Sequence, residues 1–159
     1  MTTILAIDPG NNTGWALRYH DGSIESGTWT LMPAQLRKYE GGGMRYLRFT
    51  AALDSVTKMA AEEGKPIGAV YYEAVRYHKS VQAAHSYGGY TAHLMAWCEQ
   101  NKIAYSILPV GSIKKFATGK GNANKEAMIV AANERWNTKI TDDNEADARW
   151  IAELAASMS

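Results

Sequence analysis

A single cysteine, Cys98, occurs among the 159 residues, so no intramolecular disulfide can form. That fits a chain kept in a reducing cytosol, and a cytoplasmic location is expected. No apolar run approaches the ~20 residues a membrane-spanning helix needs, so no membrane partner is expected. The N-terminal residues Met1 to Ala6 carry neither a basic flank nor a small-residue cleavage site, and a secretory leader is not expected. Repeats and low-complexity stretches are missing too. Cys98 and the four histidines have no zinc-ligand spacing. The loop Gly119 to Asn124 lacks G-x-x-x-x-G-K-[ST], which argues against a nucleotide P-loop. What remains is ordinary: 46% apolar and 21% charged residues, the balance of one globular domain over residues 1–159.

Net charge is also nearly absent, at +1, but its distribution is uneven. Between Ala74 and Lys125 the only acid is Glu99, against Arg76, Lys79, Lys102, Lys114, Lys115, Lys120 and Lys125. Acids gather instead at Asp142, Asp143, Glu145 and Asp147. A basic middle beside an acidic pole suits a protein that holds both a phosphate backbone and a cation. Lysines decorating solvated faces are the plainer alternative.

Hydrophobic periodicity supplies the elements. Thr3 to Ile7 is apolar on both faces, as in a central, doubly covered strand, and ends at the turn Asp8-Pro9-Gly10-Asn11-Asn12. Gly14 to Tyr19 and Ile24 to Leu31 read as two more strands joined by a tight turn at His20-Asp21-Gly22-Ser23. Pro33 to Gly43 reads as a loop or short helix. Met44 to Glu63 has helical spacing, with Leu47, Ala51, Val56 and Met59 expected to face inward. Ile67 to Tyr72 is a strand that runs into Glu73. Val81 to Asn101 is a long helix, Ala104 to Leu108 a strand, and Ser112 to Thr118, Lys125 to Trp136 and Asn144 to Met158 are helices. The order β-β-β-α-β-α-β-α-α-α predicts an α/β fold with a mixed five-stranded sheet: three antiparallel strands, then strands reached through helical crossovers.

Three carboxylates stand out in this frame. Asp8 and Glu73 each end an apolar strand, where a charge must reach water, a donor or a cation. Asp147, Trp150, Ile151 and Leu154 fall at i, i+3, i+4 and i+7, so Asp147 shares the apolar stripe of its helix, one turn after Asp143 and Asn144. Structural roles are open to some of these acids. Asp8 could cap its turn, Glu73 could pair with Arg76, and Asp142 or Asp143 could be a helix N-cap. If the carboxylates converge, their repulsion calls for a divalent cation, and hard oxygen donors select Mg²⁺, with Mn²⁺ a substitute. Two such ions ~3.5–4 Å apart can clamp the attacking and leaving oxygens of a phosphodiester.

Four segments together resemble the RuvC-type Holliday-junction resolvases of the ribonuclease-H-like superfamily. They are Ile4 to Ala16 (ILAIDPGNNTGWA), Val70-Tyr71-Tyr72-Glu73, Pro109-Val110 through Lys125, and Glu145-Ala146-Asp147-Ala148 with Ile151-Ala152. They occur in that family's order and at similar spacing, nearly end to end, and the chain's brevity resembles a phage-encoded member, which would work in the host-cell cytoplasm. The resemblance implies a ribonuclease-H-like fold, a homodimer, and Mg²⁺-dependent paired nicking of four-way DNA junctions. It carries Asp8, Glu73 and Asp147 over as metal ligands for two ions. The fourth ligand lies between Asn144, three residues before the last aspartate, and Asp143, four before. Asp143 is taken because it supplies charge. Lys114 and Lys125 match basic positions of the active-site region, with Lys125 a catalytic cation. Arg76, Tyr77, Lys79, Lys114, Lys115, Lys120 and Lys125 are the expected DNA contacts, and Tyr77 could stack on an unpaired base. The stripe Ala84, Gly88, Ala92 and Met95 matches the helix that builds the family's dimer, with packing inside the monomer the equal alternative. Two rival functions stay open: a related nuclease acting on hybrids, flaps or forks, and a non-catalytic nucleic-acid-binding module.

Overall fold

The computed structural model describes residues 2–158. Five strands form one sheet: β1 (Thr3–Asp8), β2 (Asn12–Arg18), β3 (Ile24–Thr30), β4 (Ile67–Ala74) and β5 (Ala104–Pro109). Their order is β3-β2-β1-β4-β5. The first three are antiparallel neighbours, and β4 and β5 join parallel to β1 through helical crossovers, as the pattern predicts. Helices α1 (Met44–Glu62), α2 (Val81–Gln100), α3 (Val110–Thr118), α4 (Lys125–Trp136) and α5 (Asp143–Ser157) cover the sheet.

Side-chain alternation sorts the two faces. Leu5, Ile7, Leu17, Val70 and Tyr72 pack with Phe49 and Leu53 of α1 and with Leu94 and Trp97 of α2. Residues of the other parity, Ile4, Ala6 and Ala16, pack with Ile113, Met128, Trp150 and Ile151 of α3, α4 and α5. β1 is buried along its whole length because helices cover both faces, which accounts for its unbroken apolar sequence.

α1 is rotated from its expected setting. Leu47 and Ala51 face solvent, while Phe49, Leu53, Val56 and Ala60 form the buried stripe, with Met59 packed at its margin. Phe49 is the larger payload, and burying it displaces the first half of the stripe by two residues, while Val56 faces inward as expected. α3 begins two residues earlier than expected, since β5 runs straight into it through Pro109, whose extended backbone suits the N-cap position. Asp142 caps α5, its carboxylate accepting from the Asn144 backbone N–H at 2.8 Å, so the helix starts at Asp143.

α5 lies close to the sheet because both surfaces are small. Ala146, Ala148, Ala152 and Ala155 are fully buried, opposite Ala6 and Ala16. The tightest approach is at Gly14, where a Cβ would stand 1.8 Å from the Asn144 carbonyl oxygen. Farther along, the buried Glu153 accepts from Arg18 Nε of β2 at 2.9 Å and from Arg135 Nη2 of α4 at 3.3 Å. Paired on both sides, that carboxylate ties α5 to its neighbours. Among the described residues, no helix is long and apolar enough to cross a membrane.

Candidate metal centre

The sheet delivers two acids to one place by register. β1 and β4 are parallel, with Ile7 opposite Tyr72, so the next residues, Asp8 and Glu73, emerge side by side at the strand ends. Asp8 has the parity of Ile4 and Ala6, and Glu73 that of Tyr71, so both face α5. Gly14 pairs with Asp8 across the hairpin and admits the first turn of α5 directly over it. Asp147 then completes the group. One carboxylate oxygen from each of Asp8, Glu73 and Asp147 lies within 4.8 Å of the others.

Electrostatics make this cluster unlike a surface acid patch. Asp8 is buried, and its pKa is raised well above the ordinary 3.8, first by desolvation and then by the charge of Glu73. Burial also raises Glu73, partly opposed by its hydrogen bond with Asp8 and by the charge of Lys114. Asp147 is pushed up to about 8 by burial, then by repulsion from Glu73 and Asp143, against the pull of Lys114 and Lys125. Its Oδ1 is buried and makes no hydrogen bond. Three clustered oxygen donors, one without a partner, match what a hard divalent cation requires. Cation binding would satisfy the orphaned oxygen and relieve the repulsion together.

A pH dependence follows. Because the folded Asp147 binds its proton more tightly than the unfolded one, its contribution to stability is full below about pH 4 and is lost as pH rises through about 8. Metal-free protein is therefore expected to melt lower at about pH 9 than at about pH 6, and excess Mg²⁺ to close most of that gap. Thermal unfolding in EDTA and in Mg²⁺ checks this; equal melting temperatures at both pH values in EDTA would contradict it.

Of the structural alternatives, the Asp8 turn cap and the Glu73–Arg76 pair are not taken, and the helix N-cap is, by Asp142. The turn after Asp8 is closed instead by Thr13, whose buried hydroxyl donates to the Gly10 carbonyl at 2.5 Å and accepts from its N–H at 3.3 Å. Among the described residues no ion pair joins Glu73 to Arg76. The N-cap role falls to Asp142, leaving Asp143 in the first turn of α5.

Asp143 stands beside the triad rather than within its 4.8 Å group. Its carboxylate is 3.9 Å from Lys125 Nζ, yet its charge is felt at Asp8, Glu73 and Asp147. Lys125 opens α4, behind an Asn124 cap, and Lys114 sits half-buried on α3; these two lysines act on the triad electrostatically. Lys115 and Lys120 are exposed farther along the same side. Arg76, Tyr77 and Lys79 are exposed on the connection from β4 to α2, just past Glu73, and Tyr77 is 91% exposed. On α2, Gly88 and Ala92 face outward, while Tyr90, Thr91, Leu94, Trp97 and Cys98 pack inward. Ala84 and Met95 of the small-residue stripe are half-buried, so the stripe borders the helix's packing face and is open to solvent at Gly88 and Ala92.

One supporting residue was not anticipated from sequence. Tyr87 of α2 donates its hydroxyl hydrogen to the Glu73 carbonyl at 2.8 Å and accepts from the Val75 N–H at 3.4 Å. It pins the backbone that carries the second acid. No local pattern marks a tyrosine fourteen residues downstream for that contact. Tyr87→Phe keeps the ring and deletes both bonds, so a stability loss of about 1 kcal/mol and a several-fold weaker Mn²⁺ affinity are expected. Denaturant unfolding and Mn²⁺ titration check the pair of effects; unchanged Mn²⁺ affinity in a folded variant would remove Tyr87 from this role.

The sequence matches no protein-family model and no curated protein sequence. The structure does find similar folds. It is similar to RuvC of Thermus thermophilus with a TM-score of 0.72 at 18% identity, over 99% of this chain and 96% of that one. The same values hold against T. thermophilus RuvC in complex with Holliday junction substrate. The yeast mitochondrial Holliday junction resolvase Ydc2 aligns with a TM-score of 0.54 at 15% identity, over 98% of this chain and 78% of that one. At such identities the likeness speaks for architecture, and the chain has the ribonuclease-H-like fold of RuvC.

Proposed function

We propose that the protein is a Mg²⁺-dependent endonuclease that resolves four-way and other branched DNA. The observation that carries this reading is the convergence of Asp8, Glu73 and Asp147 within 4.8 Å, with a buried Asp147 oxygen left without a hydrogen bond. The fold it shares with T. thermophilus RuvC, whose complex contains a Holliday junction, supports the choice of substrate.

Asp8, Glu73 and Asp147 hold the cations, with Asp143 the fourth ligand one turn before Asp147 and Asn144 a neutral neighbour. When bound, a pair of Mg²⁺ ions supplies an acidified water and neutralises charge on the departing 3′-oxygen. The protein's own contribution is positional and electrostatic. Register fixes Asp8 against Glu73, Gly14 seats α5, and Tyr87 steadies Glu73. Lys125 and Lys114 offset negative charge gathering on the scissile phosphate. Arg76, Lys79, Lys115 and Lys120 contact the backbone, and the exposed Tyr77 stacks on a base opened at the branch. A two-fold dimer through the Ala84, Gly88, Ala92 and Met95 stripe of α2 would set two such centres on symmetry-related strands, giving paired nicks.

The test compares labelled four-way junction, linear duplex and RNA–DNA hybrid, each with and without Mg²⁺. Mg²⁺-dependent, symmetric cutting of the junction in preference to the others is expected. Preference for the hybrid would refute the substrate, and junction binding without any cutting would identify a non-catalytic binding module.

A further inference from the structure

A second basic surface lies where the sequence drew no attention. A cleft of about 910 Å³ opens between the Pro9-Gly10-Asn11 turn, the segment from Met32 to Tyr46, and the N-terminal part of α2 with the connection before it. It borders the turn that leaves Asp8, and α1 and α2, which supply its walls, lie on the opposite side of the sheet from α3 and α4 with their lysines. Arg37, Arg45, His78 and His85 line it, and among the described residues no carboxylate does.

Arg45 is the fixed cation of this cleft. Its Nε donates to the Gly42 carbonyl at 2.8 Å, and its Nη1 donates to the Ser86 hydroxyl at 2.8 Å and to Asn11 Oδ1 at 3.4 Å. All three acceptors are neutral, and Nη2 has no acceptor among the described residues. Arg48, one turn later, shows the contrast: both its Nη atoms meet Glu40, at 2.7 and 2.6 Å. Glu40 is the only acid from Met32 to Arg48, so its engagement leaves Arg37, Lys38 and Arg45 uncompensated. Arg37 is exposed and held by one bond, Nε to the Met32 carbonyl at 3.3 Å. A half-buried guanidinium, oriented by neutral groups with donors to spare, is a preset site for a phosphate oxygen. Asn11 also accepts from the Tyr90 hydroxyl at 2.7 Å, which couples the cleft floor to the turn beside Asp8.

We propose that this cleft takes the sugar–phosphate backbone of the strand continuing from the scissile phosphate, with Arg45 and Arg37 as its phosphate contacts. The identity of the polyanion rests on the nuclease reading above. An open cleft with two arginines along one wall and no carboxylate suits a phosphate backbone, and contacts of this kind position DNA without reading its sequence. The protein would then grip its substrate on both sides of the metal centre: lysines beyond α3, arginines beside α2.

The test measures binding of a fluorescein-labelled single-stranded oligodeoxynucleotide and of a labelled four-way junction by anisotropy, without divalent cation, over a salt series. Arg45→Ala and Arg37→Glu are expected to weaken both affinities several-fold and each to lower the salt slope by about 1. Arg45→Lys is expected to keep most of the affinity, and Lys58→Ala, exposed on the outer side of α1, all of it. Arg37 is exposed, so Arg37→Glu reads out even where Arg45→Ala loosens the fold. Wild-type affinity and slope in Arg37→Glu and in folded Arg45→Ala would overturn the cleft assignment, while metal-dependent cutting could still stand. Arginine-dependent binding in a protein that cuts nothing would retain the cleft and refute the nuclease reading.

Discussion

Asp147→Asn is expected to make the metal-free protein more stable while abolishing its activity. In the folded chain Asp147 is opposed by burial and by Glu73 and Asp143, and the attraction of Lys114 and Lys125 does not cancel those effects, since its pKa still rises to about 8. Asparagine keeps the shape and removes the charge. At about pH 9 in EDTA the variant should gain at least about 1 kcal/mol, a melting shift of roughly 2–4 °C for a chain of this size. Excess Mg²⁺ should raise the wild type by about 2.7 kcal/mol at a hundred times Kd, and the variant by much less. Cleavage should fall about 10³-fold or more, because electrostatic stabilisation by a bound metal amounts to several kcal/mol. A purely structural Asp147 would give the reverse pattern, with stability lost and the Mg²⁺ response retained. Scanning calorimetry and single-turnover cleavage separate the two.

Gly14→Ala is expected to damage stability and activity together. The added methyl would meet the Asn144 carbonyl oxygen at 1.8 Å and its carbon at 2.4 Å, both backbone atoms that cannot rotate away. α5 must lift from β2, at about 1–3 kcal/mol for overpacking. Asp147 moves with the helix, and a displacement near 1 Å in a positioned group can lower turnover about 10²-fold. Gly111→Ala, in the exposed first turn of α3, gives the control, since a Cβ there meets nothing within 4 Å. Denaturant unfolding and cleavage rates check both variants; wild-type behaviour in Gly14→Ala would mean that α5 does not locate Asp147.

Much of this was legible because strand and helix periodicities constrain one another. Five strands and their mixed order follow from apolar runs punctuated at Asp8, Gly22, Gly64 and Pro109. Asp147 declared itself by sharing a stripe with Trp150 and Ile151. Tertiary packing decided what stayed hidden. α1 offers apolar residues on more than one face, and only contact with the sheet selects Phe49 and Leu53 over Leu47 and Ala51. Asp143 and Asp147 share a helical face, but spacing alone does not show that Asp143 turns toward Lys125. The cleft arginines escaped notice because Arg37 and Arg45 are close in sequence to Glu40, and charge counting cannot tell that Arg48 takes it. Tyr87 and Glu73 meet only after α2 folds back over β4.

The central claim is that three converging acids bind divalent cations in order to cut DNA. It is tested most directly with wild type and Asp8→Asn on a labelled four-way junction, with Mg²⁺ and with EDTA. Wild type should cut only with Mg²⁺, and Asp8→Asn should bind the junction yet leave it intact in both. Equal cutting by Asp8→Asn would contradict the account.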